Sequence, residues 1–171
     1  GDVIPAVVGP VVSRRTGQEG QFALPSKCPV CGADVVRPEG EAMSRCSNAA
    51  CPAQSLERIK HFVTRGAMDI NGIGGKLCEA LFEEGLVKDV SDIYRLTRER
   101  LMRLERMADR SVDNILKSIE DSKGKSLSRI IFALGIPQVG YETSTLLAEH
   151  FGNIDELGKA NQETLSSIPT I

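Results

Sequence analysis

Four cysteines constrain this chain more than any other feature. In "KCPVCGADVVRPEGEAMSRCSNAACPAQ" they fall as C-x2-C, fourteen residues, then C-x4-C: Cys28, Cys31, Cys46 and Cys51. Two close pairs separated by an insert of hairpin length is the spacing of a tetrahedral four-thiolate zinc site. Pro29, Gly32 and Pro52 supply turn chemistry at both pairs. Within the insert, "ADVVR" and "AMSRC" are expected to pair across Pro38-Glu39-Gly40. A disulfide framework belongs to secreted chains, and no basic n-region followed by an apolar h-region is found here. A redox C-x2-C needs no second pair and comes with a flanking βαβ pattern that is missing. Four thiolates close the coordination sphere against water, so the zinc is read as structural. Such a metal contributes on the order of 10 kcal/mol of local folding free energy. That suits a segment so poor in apolar residues. The fifth cysteine, Cys78, stands beside Leu77, Ala80 and Leu81 at helical spacing and is read as a core residue.

The second constraint is "INGIGGKL", residues 70–77. It is neither a P-loop, which needs four residues between its glycines and then Lys-Ser/Thr, nor the dinucleotide fingerprint, which needs a strand ahead of it. A helix precedes it instead. Residues 55–66 carry Leu56, Ile59, Phe62 and Val63 on one face and are expected to end at Gly66. Leu77, Ala80 and Leu81 mark a second helix stopped by Gly85. The stretch therefore reads helix, h-x-G-h-G hairpin, helix. A helix start carries unpaired N–H groups and the positive end of the dipole, which favour an anion. Glycine allows a turn through positive φ and a close approach of backbone to phosphate. Gly72, Gly74, Gly75 and Lys76 are the candidate contacts.

The frame recurs. Ile73, Met107, Val139 and Ile171 lie at intervals of 34, 32 and 32 residues, each with an apolar residue three positions earlier: Ile70, Leu104, Ile136 and Ile168. Amphipathic helices are expected after the first three, over 77–82, 112–119 and 146–151. The third frame keeps Gly140 and has Gln138 in place of the other glycine. The second has neither glycine, and Arg106 and Arg110 are its candidate cations. Spaced repetition of one supersecondary unit is the mark of a tandem array.

Net charge is −2, yet six arginines crowd residues 95–110 against Glu99, Glu105 and Asp109, while residues 141–171 hold five acids and one lysine. Backbone amides need little net positive charge and read no base sequence, so DNA binding is compatible with this balance. Aromatic residues make up 4% and tryptophan is absent, which argues against a base-stacking platform of the single-strand type. No apolar run approaches the ~20 residues that span a bilayer. His61 and His150 lie on expected helices without a cysteine or acidic constellation, and His61 is read as a helix-surface or phosphate-side residue rather than a base. No catalytic residue is assigned. The chain opens on Gly1 in a β-rich stretch and closes on "SSIPTI", and both ends read as cuts through a longer protein.

"RCSNAACPAQ" (45–54), "HFVTRGAMDINGIGGKL" (61–77), "GLVKDVSDIYRLT" (85–97) and "SLSRIIFALGIPQVGYETSTLLAEHFG" (126–152) together resemble the C-terminal part of bacterial NAD-dependent DNA ligases. The resemblance implies a mainly α architecture. Residues 1–22 would end an oligonucleotide-binding barrel as a short β remnant, 23–54 would form the four-cysteine zinc finger, and 55–171 a helix-hairpin-helix domain with its fourth hairpin truncated. It also implies that Cys28, Cys31, Cys46 and Cys51 ligate the zinc and that the hairpins grip the minor groove of nicked duplex DNA for sealing in replication and repair. From the repeat frame, Gln138 and Gly140 are the candidate contacts of the third hairpin. The family's catalytic lysine sits in K-x-D-G, which does not occur here. NAD, Mg2+ and the adenylation chemistry would thus belong to the parent enzyme, bacterial, cytoplasmic and nucleoid-associated. The partners implied are its other domains and DNA, and a monomer is expected. The alternative is a zinc-braced helical module for protein contact, which salt sensitivity separates from phosphate binding.

Overall fold

The structure, a computed structural model, describes residues 6–105 and 107–168. Two compact units divide the chain, Gly1–Ser47 and Asn48–Ile171.

In the first unit the expected hairpin forms. Strands β1 (Val35–Val36) and β2 (Arg45–Cys46) pair antiparallel, with Val35 opposite Cys46 and Val36 opposite Arg45. The turn ahead of β1 is closed by the Cys28 amide donating to Ala33 O at 2.7 Å and the Gly32 amide to Cys28 O at 2.9 Å. Gly32 takes φ +72, a conformation that costs other residues about 1–2 kcal/mol. The expected β remnant at the N-terminus is not seen among the described residues 6–22. They carry one 3-10 turn, Val12–Arg14, and are exposed throughout. An extended segment without a neighbouring strand leaves its amides and carbonyls to water, so β-rich composition alone makes no strand. Residues 1–5 lie outside the described residues.

The second unit is helical. Helix α1 (Pro52–Val63) begins with proline in its first turn, where no amide is needed, and buries Ile59, Phe62 and Val63. It stops short of Gly66, the expected end. The returning chain takes its last carbonyls: Met68 donates to Phe62 O and Ile70 to Val63 O, both at 3.0 Å. Glycine is unnecessary when tertiary amides satisfy a helix end.

Helices α2 (Gly75–Glu83), α3 (Arg98–Leu101), α4 (Asp109–Ser122), α5 (Leu127–Ala133), α6 (Tyr141–Phe151), α7 (Ile154–Lys159) and α8 (Gln162–Ser166) follow. A 3-10 segment, Val90–Arg95, carries a capping box between Asp89 and Asp92. Thr97, Asn153 and Asn161 cap α3, α7 and α8. Gly85, Gly135 and Gly152, all at positive φ, follow α2, α5 and α6.

Two cores result. The larger runs from Ile59 to Ala133 and includes Ile70, Ile73, Cys78, Leu81, Leu101, Val112 and Ile115, with Leu104 and Met107 packed against it. Cys78 is fully buried, and burial pushes its thiol pKa up. The smaller core joins Ile131, Leu147 and Ile168 with Val139 and Leu165 packed on it. The apolar frame positions of the first, second and fourth repeats thus lie in or against a core as far as they are described. Ile136 of the third is 44% exposed.

Hairpin 1 is bolted to its surroundings. The Asn71 amide donates to Ser118 Oγ of α4 at 2.7 Å. Lys125 reaches Asp69 at 3.2 Å and holds that carboxyl below its ordinary pKa. Arg129 Nε donates to Ala67 O at 2.7 Å, and its guanidinium also reaches Arg65 O. Gly72 sits at φ +92, and a Cβ there would lie 2.7 Å from Ile115 Cγ1. Gly72→Ala would combine a left-handed alanine with overpacking against α4, each of about 1–2 kcal/mol. We expect a loss of about 2 kcal/mol or more in urea unfolding with an unchanged m-value. Equal stability would mean that the turn relaxes without disturbing Ile115.

Candidate nucleic-acid interface and metal centre

The helix-start residues of the repeats adopt one conformation. Gly74 caps α2 at φ −88, ψ 176, and Gly140 caps α6 at φ −83, ψ −173. Two residues before each cap the chain passes through the left-handed region, at Gly72 in hairpin 1 and at Gln138, φ +67, in hairpin 3. Glutamine therefore keeps the backbone path that glycine takes in the first repeat. Around Gly74, Gly75 and Gly140 there is open space within 4 Å of where a Cβ would stand. These glycines are unnecessary for packing, whereas Gly72 is needed for it. The glycines at the helix starts leave the first amides of α2 and α6 approachable by a ligand.

The two starts differ in charge. α2 has no acid in its first turn and has exposed Lys76 as its second residue. Lys60, Thr64, Arg65 and Asn71 line a hollow with Gly72, Gly74 and Gly75. Lys60 is already paired with Glu57 at 3.0 Å and Glu79 at 2.8 Å, which raises its pKa. Arg65 is exposed at the rim. Spacing along the sequence does not single out Lys60 and Arg65, because only the return of the chain after α1 brings them beside the glycines. α6 carries Glu142 in its first turn, so hairpin 1 is the stronger anion site by dipole and charge.

Hairpin 2 departs from this pattern. Ala108 occupies the cap of α4 in extended conformation, φ −100 and ψ 152, and Asp109 opens the helix. Arg98 pairs with Asp109 at 2.5 Å and with Asp113, tying α3 to α4. Arg95 pairs with Asp92 at 3.0 Å. The arginine run is therefore partly spent on the fold. Arg110 is exposed on the first turn of α4, and Arg106 lies outside the described residues. His61 has a structural partner in α5. Its Nε2 is 2.9 Å from Phe132 O, and its ring meets Phe132 edge-on at 5.0 Å, so it joins α1 to α5.

The sulfurs of Cys28, Cys31, Cys46 and Cys51 lie within 4.8 Å of one another, and those of Cys31 and Cys46 are 3.4 Å apart. A tetrahedron with Zn–S bonds of ~2.3 Å has edges of about 3.8 Å, so the donor set fits the ion. The backbone amides of Cys31 and Val30 hold the Cys28 thiol below its ordinary pKa, in the direction that favours a thiolate ligand. In the first unit Cys28 is the one buried apolar side chain among the described residues, so metal ligation takes the place of a core there. Cys28→Ser or Cys46→Ser should drop bound zinc, by elemental analysis, from about one equivalent to near none while helical circular dichroism from residues 48–168 persists. Stoichiometric zinc in both variants would exclude the four-thiolate site.

The model of the NAD-dependent DNA ligase C4 zinc finger domain matches residues 27–53. A SAM-like helix-hairpin-helix tandem matches 65–121, spanning hairpins 1 and 2, and a helix-hairpin-helix motif matches 129–171. Among curated proteins, a DNA ligase of Bacillus pumilus is 49% identical over 171 residues, all of this chain and 26% of the relative. One from Bacillus subtilis is 47% identical over the same share. One from Citrifermentans bemidjiense is 52% identical over 168 residues, 98% of this chain and 25% of the relative. The chain spans about a quarter of the length of the curated relatives it matches. Residues 27–53 thus match the C4 zinc finger of the NAD-dependent DNA ligases, and residues 65–121 and 129–171 match helix-hairpin-helix models.

Proposed function

We propose that this chain binds the sugar-phosphate backbone of nicked duplex DNA, without reading its base sequence, as the DNA-holding part of an NAD-dependent ligase. The observation that carries the reading is the repeated helix start: Gly74 and Gly140 share one backbone conformation and leave open space beside unpaired amides. Amides and a helix dipole hold a phosphate oxygen without demanding net positive charge. In this reading Gly74, Gly75, Lys76 and Gly140 touch phosphate, Gln138 stands at the tip of hairpin 3, and Gly72 shapes hairpin 1 from beneath. Arg106 and Arg110 serve hairpin 2 as side-chain cations where its cap has no glycine.

The domain division that goes with this reading is 1–22 as the end of an oligonucleotide-binding barrel, 23–54 as the zinc finger and 55–171 as the hairpin domain. A monomeric parent enzyme in the bacterial cytoplasm would supply the rest. NAD and Mg2+ would serve adenylate transfer and strand sealing in its other domains. No helix among the described residues is long and apolar enough to cross a membrane.

The test is a titration of labelled nicked duplex, with intact duplex as competitor, at several salt concentrations. We expect a Kd on the order of micromolar or tighter at low salt, with log affinity falling by about 0.9 per log unit of salt for each phosphate engaged. Gly74→Val and Gly140→Val each should weaken binding about tenfold, or about 1.4 kcal/mol, with helicity retained. Absence of binding by the unaltered chain at low salt would favour the protein-contact reading instead.

A further inference from the structure

The tip of hairpin 3 differs from that of hairpin 1 in one respect that phosphate binding does not explain. Ile70 and Ile136 occupy the same place in their repeats, yet Ile70 is 2% exposed and Ile136 is 44% exposed. Close to it in the sequence, Leu134 is 39% and Tyr141 56% exposed. Pro137 and Gln138 are also exposed. Exposed apolar residues thus lie on both sides of Gly140 in the chain, Ile136 and Pro137 before it and Tyr141 after it. The Tyr141 ring meets Phe132 edge-on with centroids 6.1 Å apart, and Phe132 is braced by His61. Two ring side chains are therefore spent on presenting a third to solvent.

We propose that Ile136 and Tyr141 form an apolar contact to the nucleotide whose phosphate hairpin 3 holds, packing on its deoxyribose. This rests on the DNA-binding reading and gives hairpin 3 a role distinct from that of hairpin 1. Tyr141 is the first residue of α6, so its backbone amide is one of the unpaired donors at that helix start. A phosphate bound there brings its own sugar within reach of the same residue's side chain. Ile136 and Tyr141 flank Gln138 and Gly140 in the chain, so these exposed apolar side chains adjoin the candidate phosphate contacts, and the occupant they fit is the nucleotide held there. Glu142 weakens the ionic part of this site. A non-ionic contact is the complement that such a site requires. Sugar contacts are sequence-tolerant, because every nucleotide carries the same deoxyribose.

Ionic and apolar contacts separate in a salt series, since only phosphate neutralisation releases counterions. With labelled nicked duplex and the 171-residue chain, Tyr141→Ala and Ile136→Ser should each weaken binding about fivefold or more at every salt concentration. Their log Kd against log salt lines should run parallel to that of the unaltered chain; thermal unfolding should be little changed in Ile136→Ser, and in Tyr141→Ala should fall only by the loss of the edge contact with Phe132. A direct reading comes from fluorescence. The chain has two tyrosines and no tryptophan, so in Tyr94→Phe the emission belongs to Tyr141 and should fall on saturation with duplex. Unchanged affinity in both variants, or unchanged emission, overturns the proposal while leaving DNA binding intact. A reduced salt slope in the variants also overturns it, by making the contact ionic. Failure of the unaltered chain to bind overturns both readings together.

Discussion

One backbone path organises the helical unit: a left-handed residue, one apolar residue, then a helix cap in extended conformation. The first step turns the chain sharply enough for the apolar residue between to enter the core, as Ile73 does. The last step starts a helix with its early amides outward. Because the same turn both buries a side chain and exposes amides, core packing and ligand geometry cannot vary independently. Gly72 makes the dependence concrete. Its missing side chain lets Ile115 of α4 approach, and α4 belongs to the next repeat. The candidate anion site of hairpin 1 is thus held in shape by residues of hairpin 2, which itself has the weaker claim to a phosphate.

The charge pattern follows from this division of labour. Taken as a sum, −2 argues against nucleic acid. Taken residue by residue, cations fall into two kinds. Arg95, Arg98, Lys60, Lys125 and Arg129 are engaged with carboxylates or carbonyls of the fold. Lys76, Arg65 and Arg110 are exposed near the helix starts. The engaged pairs are mostly solvent-facing, so water and salt screen them and each adds little to stability by itself. Their value is in fixing where α3, α4 and α5 meet the hairpins, and only the second kind is available to raise the local potential.

How much of this is legible in the sequence depends on whether a residue's role is local. The cysteine spacing announces the metal cluster and the β1–β2 pairing because ligand geometry is set within a few residues of each pair. The apolar frame positions announce the tandem hairpins because most of them pack in or against a core in each repeat. The end of α1 escapes such reasoning, since its carbonyls are taken by the Met68 and Ile70 amides, a tertiary event that no cap residue signals. The role of His61 escapes it for a similar reason, because its partner Phe132 is 71 positions away. The exposure of Ile136 is hidden too. A repeat predicts an equivalent frame, but equivalent burial requires an equivalent neighbour, and α5, with seven residues, is shorter than the twelve-residue α1.

The two units hold themselves together by different means, and this bears on what each can contribute to a ligand site. Residues 48–168 bury two apolar clusters, so their hairpins are preorganised by packing before any ligand arrives. The cysteine unit buries almost nothing apolar among its described residues; its hairpin of two short strands is below the size that is stable alone. Its order therefore follows the metal, through thiolates whose protonation opposes binding. Acid or a chelator would act on that unit directly and on the helical core hardly at all. A DNA contact made by the hairpins should survive metal removal, whereas any contact made by the cysteine unit should not. Zinc-dependence of affinity thus measures how much of the interface lies outside the hairpins.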